Sequence, residues 1–307
     1  MKKCLFLLLL VPLLCNCGYF KKPFPLDEQV FDKDTLAVIP LQYNPDAEGT
    51  HDLNARINVT IDSMRQSLVL GLGYAGTSIS LHPSTLAKYH HTFNGVTVNQ
   101  ANIKREKIKL REFILPRVLF GDLAITNLKG LESPEPPAGM EGTTGEVLGL
   151  DFLKQFNVLI DYRDKQLVLY KKGYLPPLEA KWTRVKFETH YDQGIILPVF
   201  VPELKKIYHC VLITANPPRD DQGRLFGLVR QDSGLGKDLL KSGLTTGAGD
   251  LPEYTGDLDL ASLKLHNINF KIIDYKLPEY DGMLFYPIMA DHPLFIDFAH
   301  NNIYIEK

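Results

Sequence analysis

Cysteine is nearly missing from the body of this chain. Of four in 307 residues, Cys4, Cys15 and Cys17 lie in the first seventeen positions and only Cys210 lies beyond. A single thiol cannot staple a fold, so no disulfide framework is expected. An excess of either charge is also missing: 34 Lys and Arg stand against 36 Asp and Glu, a net −2 at pH 7. Without a basic field to attract a polyanion, nucleic acid is not an expected partner. Long apolar runs are confined to residues 4–14, too short for a bilayer span. The chain has no phosphate-cradling glycine loop and no serine-hydrolase elbow. Tyr89-His90-His91 sets two imidazoles side by side, but sequence neighbours seldom ligate one ion and no third ligand follows at a suggestive spacing. Neither a metal nor a cofactor is therefore expected.

The first thirty-four residues read as targeting text. Lys2 and Lys3 precede the short apolar run, which is the pattern of a secretory signal. Its end, Leu14-Cys15-Asn16-Cys17-Gly18, resembles a bacterial lipoprotein cleavage box, with Cys17 as lipidated first mature residue. Asn16 stands where a small residue is usual, and plain signal cleavage nearby is the alternative. Residues 18–34, polar and bearing Pro23 and Pro25, suit a tether. The expectation is an exported protein of the bacterial envelope, lipid-anchored and facing the periplasm. Gly18, in place of aspartate, leans that anchor towards the outer membrane.

Beyond the tether, short alternating or β-branched runs predict strands over 35–43, 55–61, 66–72, 96–100, 103–110, 156–161 and 166–170. Helical text is limited to 83–90, 150–155 and 236–242. The class is mostly β. His209 and Cys210 do not form a nucleophile pair on this reading, because neighbours on a strand point to opposite faces. Two segments recur in the second half. Gly121-Asp122-Leu123 answers to Gly256-Asp257-Leu258 at an offset of 135, and Ile160-Asp161-Tyr162 answers to Ile296-Asp297-Phe298 at 136. Two homologous lobes are expected, 35–171 and 182–307, joined by a linker over 172–181 that carries Gly173, Pro176 and Pro177.

The motifs resemble the pepsin and retropepsin type of aspartic protease, whose lobes each run an apolar strand into Asp-Thr/Ser-Gly and later close with two apolar residues and a glycine. Here Ser67-Leu68-Val69-Leu70 enters Gly71-Leu72-Gly73-Tyr74, and Val147-Leu148-Gly149 closes the first lobe. In the second, Cys210-Val211-Leu212 enters Ile213-Thr214-Ala215-Asn216, and Met283-Leu284-Phe285 closes it. The resemblance implies a two-lobed β-barrel fold of acid-protease type with both catalytic aspartates substituted, Gly71 and Ile213 standing in their places. It also implies an inter-lobe cleft lined by residues 71–74 and 213–216, open to an extended peptide or protein segment. The reaction needs two carboxylates sharing a proton, and neither glycine nor isoleucine supplies one. Two alternatives stay open. Asp232-Ser233-Gly234 spells a legitimate triplet, so Asp232 is the candidate acid of a divergent endopeptidase, or else a turn or helix-cap residue. The lobes are otherwise a structural envelope module whose cleft is packed shut by Ile213 and Phe285. Asp161 and Asp297 fit the family's structural turn rather than its cleft.

Overall fold

The computed structural model describes residues 33–42, 55–73, 76–101, 107–132, 146–178, 181–190, 194–214, 226–246, 251–274, 280–285 and 292–307. The first half runs β1 (Thr35–Gln42), β2 (Arg56–Ile61), β3 (Met64–Gly71), β4 (Ile79–Leu81), α1 (Pro83–Leu86), β5 (Thr92–Ala101), β6 (Lys107–Phe120), β7 (Leu123–Glu132), β8 (Val147–Gly149), α2 (Leu150–Leu153), β9 (Asn157–Asp161) and β10 (Gln166–Tyr170). The second runs β11 (Trp182–Lys186), β12 (Glu188–His190), β13 (Gly194–Val201), β14 (Lys206–Ile213), β15 (Phe226–Arg230), α3 (Gly234–Ser242), β16 (Glu253–Leu260), β17 (Leu263–Ile273), β18 (Gly282–Phe285), β19 (Leu294–Asp297) and β20 (Asn302–Glu306). The molecule is mostly β and its strands close into barrels.

The pattern behind each strand is simple. In β2, Ile57, Val59 and Ile61 are buried while Arg56, Asn58 and Thr60 are partly exposed, the period-two signature of a strand with one face on a core. In β10, Leu167, Val168 and Leu169 are all buried, as befits a strand covered on both faces. The turn between β2 and β3 is tight because Asp62 and Ser63 both take left-handed backbone, with φ of 49° and 66°.

Strand order exposes the internal symmetry. One ring runs β2-β3-β8-β4-β7-β6 and closes through β2–β6; the other runs β13-β14-β18-β15-β17-β16 and closes through β13–β16. Each strand of one ring has its counterpart at the same place in the other. β11 and β12 together repeat β1, since β1 pairs with β10 and β2 while β11 pairs with β20 and β12 with β13. The strands β11, β20, β19, β9, β10 and β1 form one continuous run between the rings. At its centre β9 meets β19 antiparallel, with Ile160 opposite Leu294, Leu159 opposite Phe295 and Val158 opposite Ile296. At the offset of 136, Leu294 is the counterpart of Val158 and Ile296 that of Ile160. The ladder therefore maps onto itself when the halves are exchanged, which is the signature of a local two-fold axis.

The register corrects one of the two sequence matches. Gly121 and Asp122 form the turn between β6 and β7, where Phe120 faces Leu123, whereas Gly256 and Asp257 lie inside β16 at a register shift. The turn equivalent to 121–122 is Ala261-Ser262, between Leu260 and Leu263, an offset of 140. Asn127 and Asn267 confirm it. They are 140 apart, in β7 and β17, and both adopt left-handed backbone, with φ of 53° and 55°. The Gly-Asp pair misled because glycine and aspartate serve bulges as well as turns.

The match at 136 is structural. Asp161 accepts from the backbone N–H of Arg163 (3.0 Å) and Asp164 (3.1 Å), and Asp297 accepts from those of Ala299 (3.1 Å) and His300 (3.3 Å). Lys165 and Asn301 then supply the left-handed residue of each turn. β6 is far longer than the run expected over 103–110, and β7 was not expected. A proline such as Pro116 is seldom found inside a continuous strand. The register passes from Leu115↔Leu128 to Arg117↔Thr126, so Pro116 falls opposite Asn127, whose backbone is left-handed.

Polar ties join the halves around the axis. Asn157, fully buried, donates to Tyr174 O (2.9 Å) and Asp297 Oδ1 (3.1 Å) and accepts from Phe298 N–H (3.1 Å). The Glu306 carboxylate binds Lys181 and Arg163, drawing together the second half's last strand, the linker and the first half's last turn. The Lys181 hydrogen bond, and behind it that of Arg163, holds the Glu306 carboxyl below the ordinary carboxylate range. A depressed pKa means stability that is present above the unfolded value, about 4.3, and lost as pH falls through the lower folded value. Urea midpoints measured against pH should therefore drop on the acid side in the native protein, and Glu306→Gln should be less stable near neutrality with a flatter acid limb.

Candidate functional site

The site expected from the sequence lies where the two rings touch. β3 runs parallel to β8, with Gly71 beside Gly149, and β14 runs parallel to β18, with Ile213 beside Phe285. Gly71 and Ile213 thus occupy the same place in each half, at the ends of matching strands. Gly149 must be glycine, since a Cβ there would strike the carbonyl of Thr77. Phe285 takes that place in the second half and is buried.

Beyond these strand ends the chain segments cross. Thr214, one residue past Ile213, is only 1% exposed. Its hydroxyl accepts from the Leu72 N–H at 2.9 Å and donates to the Leu70 carbonyl. Both bonds span the two halves. Leu72 is the matching residue of the first half, fully buried, and its hydrocarbon side chain cannot return the interaction. Ile213 completes the contact by laying its Cδ1 against Gly73, where a Cβ would overlap it. Gly194, with φ of 85°, backs the loop from the second half. A Cβ at that position would sit 2.9 Å from Leu72 O and 3.3 Å from Gly73 Cα.

The chemistry of this seam follows from its side chains. Among Gly71, Leu72, Gly73, Ile213 and Thr214, the Thr214 hydroxyl is the only polar side-chain group, and both its hydrogen bonds go to backbone. No proton donor or acceptor is free to act on a substrate at these five positions. Gly71, Gly73 and Ile213 are each partly exposed, so the floor presents backbone and methyl groups to solvent. Tyr74, Ala215, Asn216 and the lipidation candidate Cys17 lie outside the described residues.

Asp232 lies elsewhere. It sits in the turn after β15, its side chain 67% exposed and 2.5 Å from Arg230 Nε. Arg230 is level with Asp281 and, through it, with His209, four residues before Ile213. That is about 13 Å of strand, at the end away from the seam. The helix cap is Ser233, whose hydroxyl accepts from Gly236 N–H at 3.0 Å. Asp281 is also structural: it accepts from His209 N–H (2.9 Å) and Leu235 N–H (3.2 Å). The Cys210 thiol is fully buried and pushed well above its ordinary value, first by burial and then by Asp281, so it is no nucleophile. His209 faces outward on the same strand.

The tandem histidines diverge. His90 Nδ1 lies 3.1 Å from Asp62 Oδ2, and His91 Nδ1 lies 2.9 Å from Tyr89 O. Among the described residues no group of three or more His, Cys, Asp or Glu side chains is arranged to hold a metal. The cross-half role of Thr214 and the ties of Asn157 were not visible in the sequence, because partners 142 and 140 residues apart leave no periodic signal. The chain matches no family model and no curated protein.

The hydroxyl of Thr214 gives a direct test of the seam. Thr214→Val keeps the shape and strands a buried N–H and a buried C=O, an expected loss of about 2–4 kcal/mol. Thr214→Ser should retain most of that stability. Urea denaturation of the three proteins checks the difference.

Proposed function

We propose that this chain is a catalytically silent relative of the pepsin and retropepsin aspartic proteases, exported to the cell envelope, that holds an extended polypeptide segment between its lobes instead of cutting it. The observation that carries the reading is the pair Gly71 and Ile213. They occupy matching strand ends in two rings of identical strand order, and neither bears a carboxylate. General acid–base assistance is worth roughly 10²–10⁴ in rate, and both groups that would provide it are lacking. A polypeptide lying over the partly exposed floor would draw affinity from main-chain hydrogen bonds and selectivity from side-chain pockets. Asp232 offers no replacement acid, since it lies at the far end of its sheet.

The packing of Ile213 on Gly73, with Leu72 and Phe285 buried, favours a second reading. In it the seam is closed and the protein is a structural module of the envelope. Export and a lipid anchor at Cys17 rest on the leader: Lys2, Lys3, the short apolar run and the Cys17-Gly18 pair. No helix among the described residues is long and apolar enough to cross a membrane.

Incubation of the purified protein with a mixture of denatured proteins, from acid to neutral pH and with or without pepstatin, tests the loss of chemistry. No turnover is expected at any pH. Pepstatin-sensitive turnover abolished by Asp232→Ala would make the protein an endopeptidase after all. A peptide array then separates the two remaining readings: bound peptides lost in Gly73→Arg, which fills the floor, support the holding role, and an array without ligands supports the closed module.

A further inference from the structure

A second surface, away from the seam, has the makings of a docking site. β11 is the terminal strand of its sheet. Lys181 O accepts from Lys307 N–H and Phe187 N–H donates to Asn301 O, both at 3.0 Å, so the ladder to β20 uses the odd-numbered residues. In an antiparallel ladder the alternate residues point their N–H and C=O the other way. Those of Arg184 and Lys186 therefore face outward from the sheet, with no backbone partner among the described residues.

Beside this edge lies a groove of about 270 Å³. Arg184, Val185 and Lys186 line it from β11, and Pro198, Phe200 and Ile207 line it from β13 and β14. Phe200 and Ile207 are cross-strand neighbours, and Ile207 is 62% exposed. The Arg184 and Lys186 side chains are exposed and have no acidic partner among the described residues, while Asp259 stands on the opposite wall.

We propose that this edge and groove bind an extended segment of a partner protein in which one aromatic or branched side chain is flanked by acidic residues. The unpaired backbone of Arg184 and Lys186 supplies the main-chain ladder, the apolar wall takes the central side chain, and the two cations take the acids. Asp259 keeps further acids off the opposite wall. Charge also excludes a second copy of this chain paired edge to edge, because Arg184 and Lys186 would meet the same two cations. The site is independent of the seam.

The test is fluorescence anisotropy with the full chain and a labelled peptide that places one phenylalanine between valines and glutamates in alternation. Saturable binding is expected, weakened by added salt, and lost when lysines replace the glutamates. Arg184→Pro removes one outward N–H while leaving the β20 ladder whole, and should weaken binding at least tenfold beyond Arg184→Ala, which removes the charge alone. Should the proline variant fail to fold, Ile207→Asp at its exposed position should weaken binding by a similar factor. Absence of binding, indifference to peptide charge, or native affinity in folded Arg184→Pro or Ile207→Asp would overturn the proposal.

Discussion

Everything in this molecule is positioned by the antiparallel contact of β9 with β19. Three residues from each half pair there, and a slip of one residue would turn every side chain of both strands to the wrong face. Burial makes such a slip costly: Val158, Ile160, Leu294, Phe295 and Ile296 are all within 1% of complete burial. Because the ladder is symmetric about Leu159 and Phe295, fixing its register fixes both rings at once. The ends of β3 and β14 then face one another without any element dedicated to aiming them.

That symmetry makes the departures from it informative. Two loops brought together by an axis could in principle exchange identical hydrogen bonds. Here Thr214 gives and receives across the seam, while Leu72 answers with hydrocarbon. Likewise Ile213 fills space that Gly71 leaves open, and Phe285 fills what Gly149 must not. The two halves are complementary at the seam where elsewhere they are equivalent. A buried threonine bonded on both sides of its oxygen and an isoleucine resting on glycine backbone tie the two loops together, while Gly71, Gly73 and Ile213 keep part of their surface in solvent.

How much of this was legible in the sequence depended on the range of the interaction. The strand runs, the mostly β class, the turn role of Asp161 and Asp297 and the strand ends at Gly71 and Ile213 could be read, because each follows from a local pattern of apolar alternation or from turn chemistry. The repeat at 136 held because an Asx turn demands particular residues at particular steps. The repeat at 135 failed because glycine followed by aspartate meets two different local needs. Strand β15 was missed because Gly227 and Arg230 leave Phe226–Arg230 without a clean apolar run, and Pro116 interrupts the text of β6. Which side chains touch across the seam was illegible, since nothing in the text near Thr214 announces Leu72.

The sharing of strands between halves has a consequence for how the protein reaches its folded state. The first ring can close as soon as residue 149 is available, but the outer edge of β9 has no neighbour until β19, residues 294–297, arrives. During synthesis, then, a strand whose three middle residues are apolar stands open for more than a hundred residues of chain growth. An open edge of that kind is an invitation to wrong partners, including another nascent copy. The pairing that gives the finished molecule its symmetry is also among the last contacts its backbone makes, only the β20 ladders with β11 and β19 depending on later residues, and the interval before it forms is when the chain most needs protection.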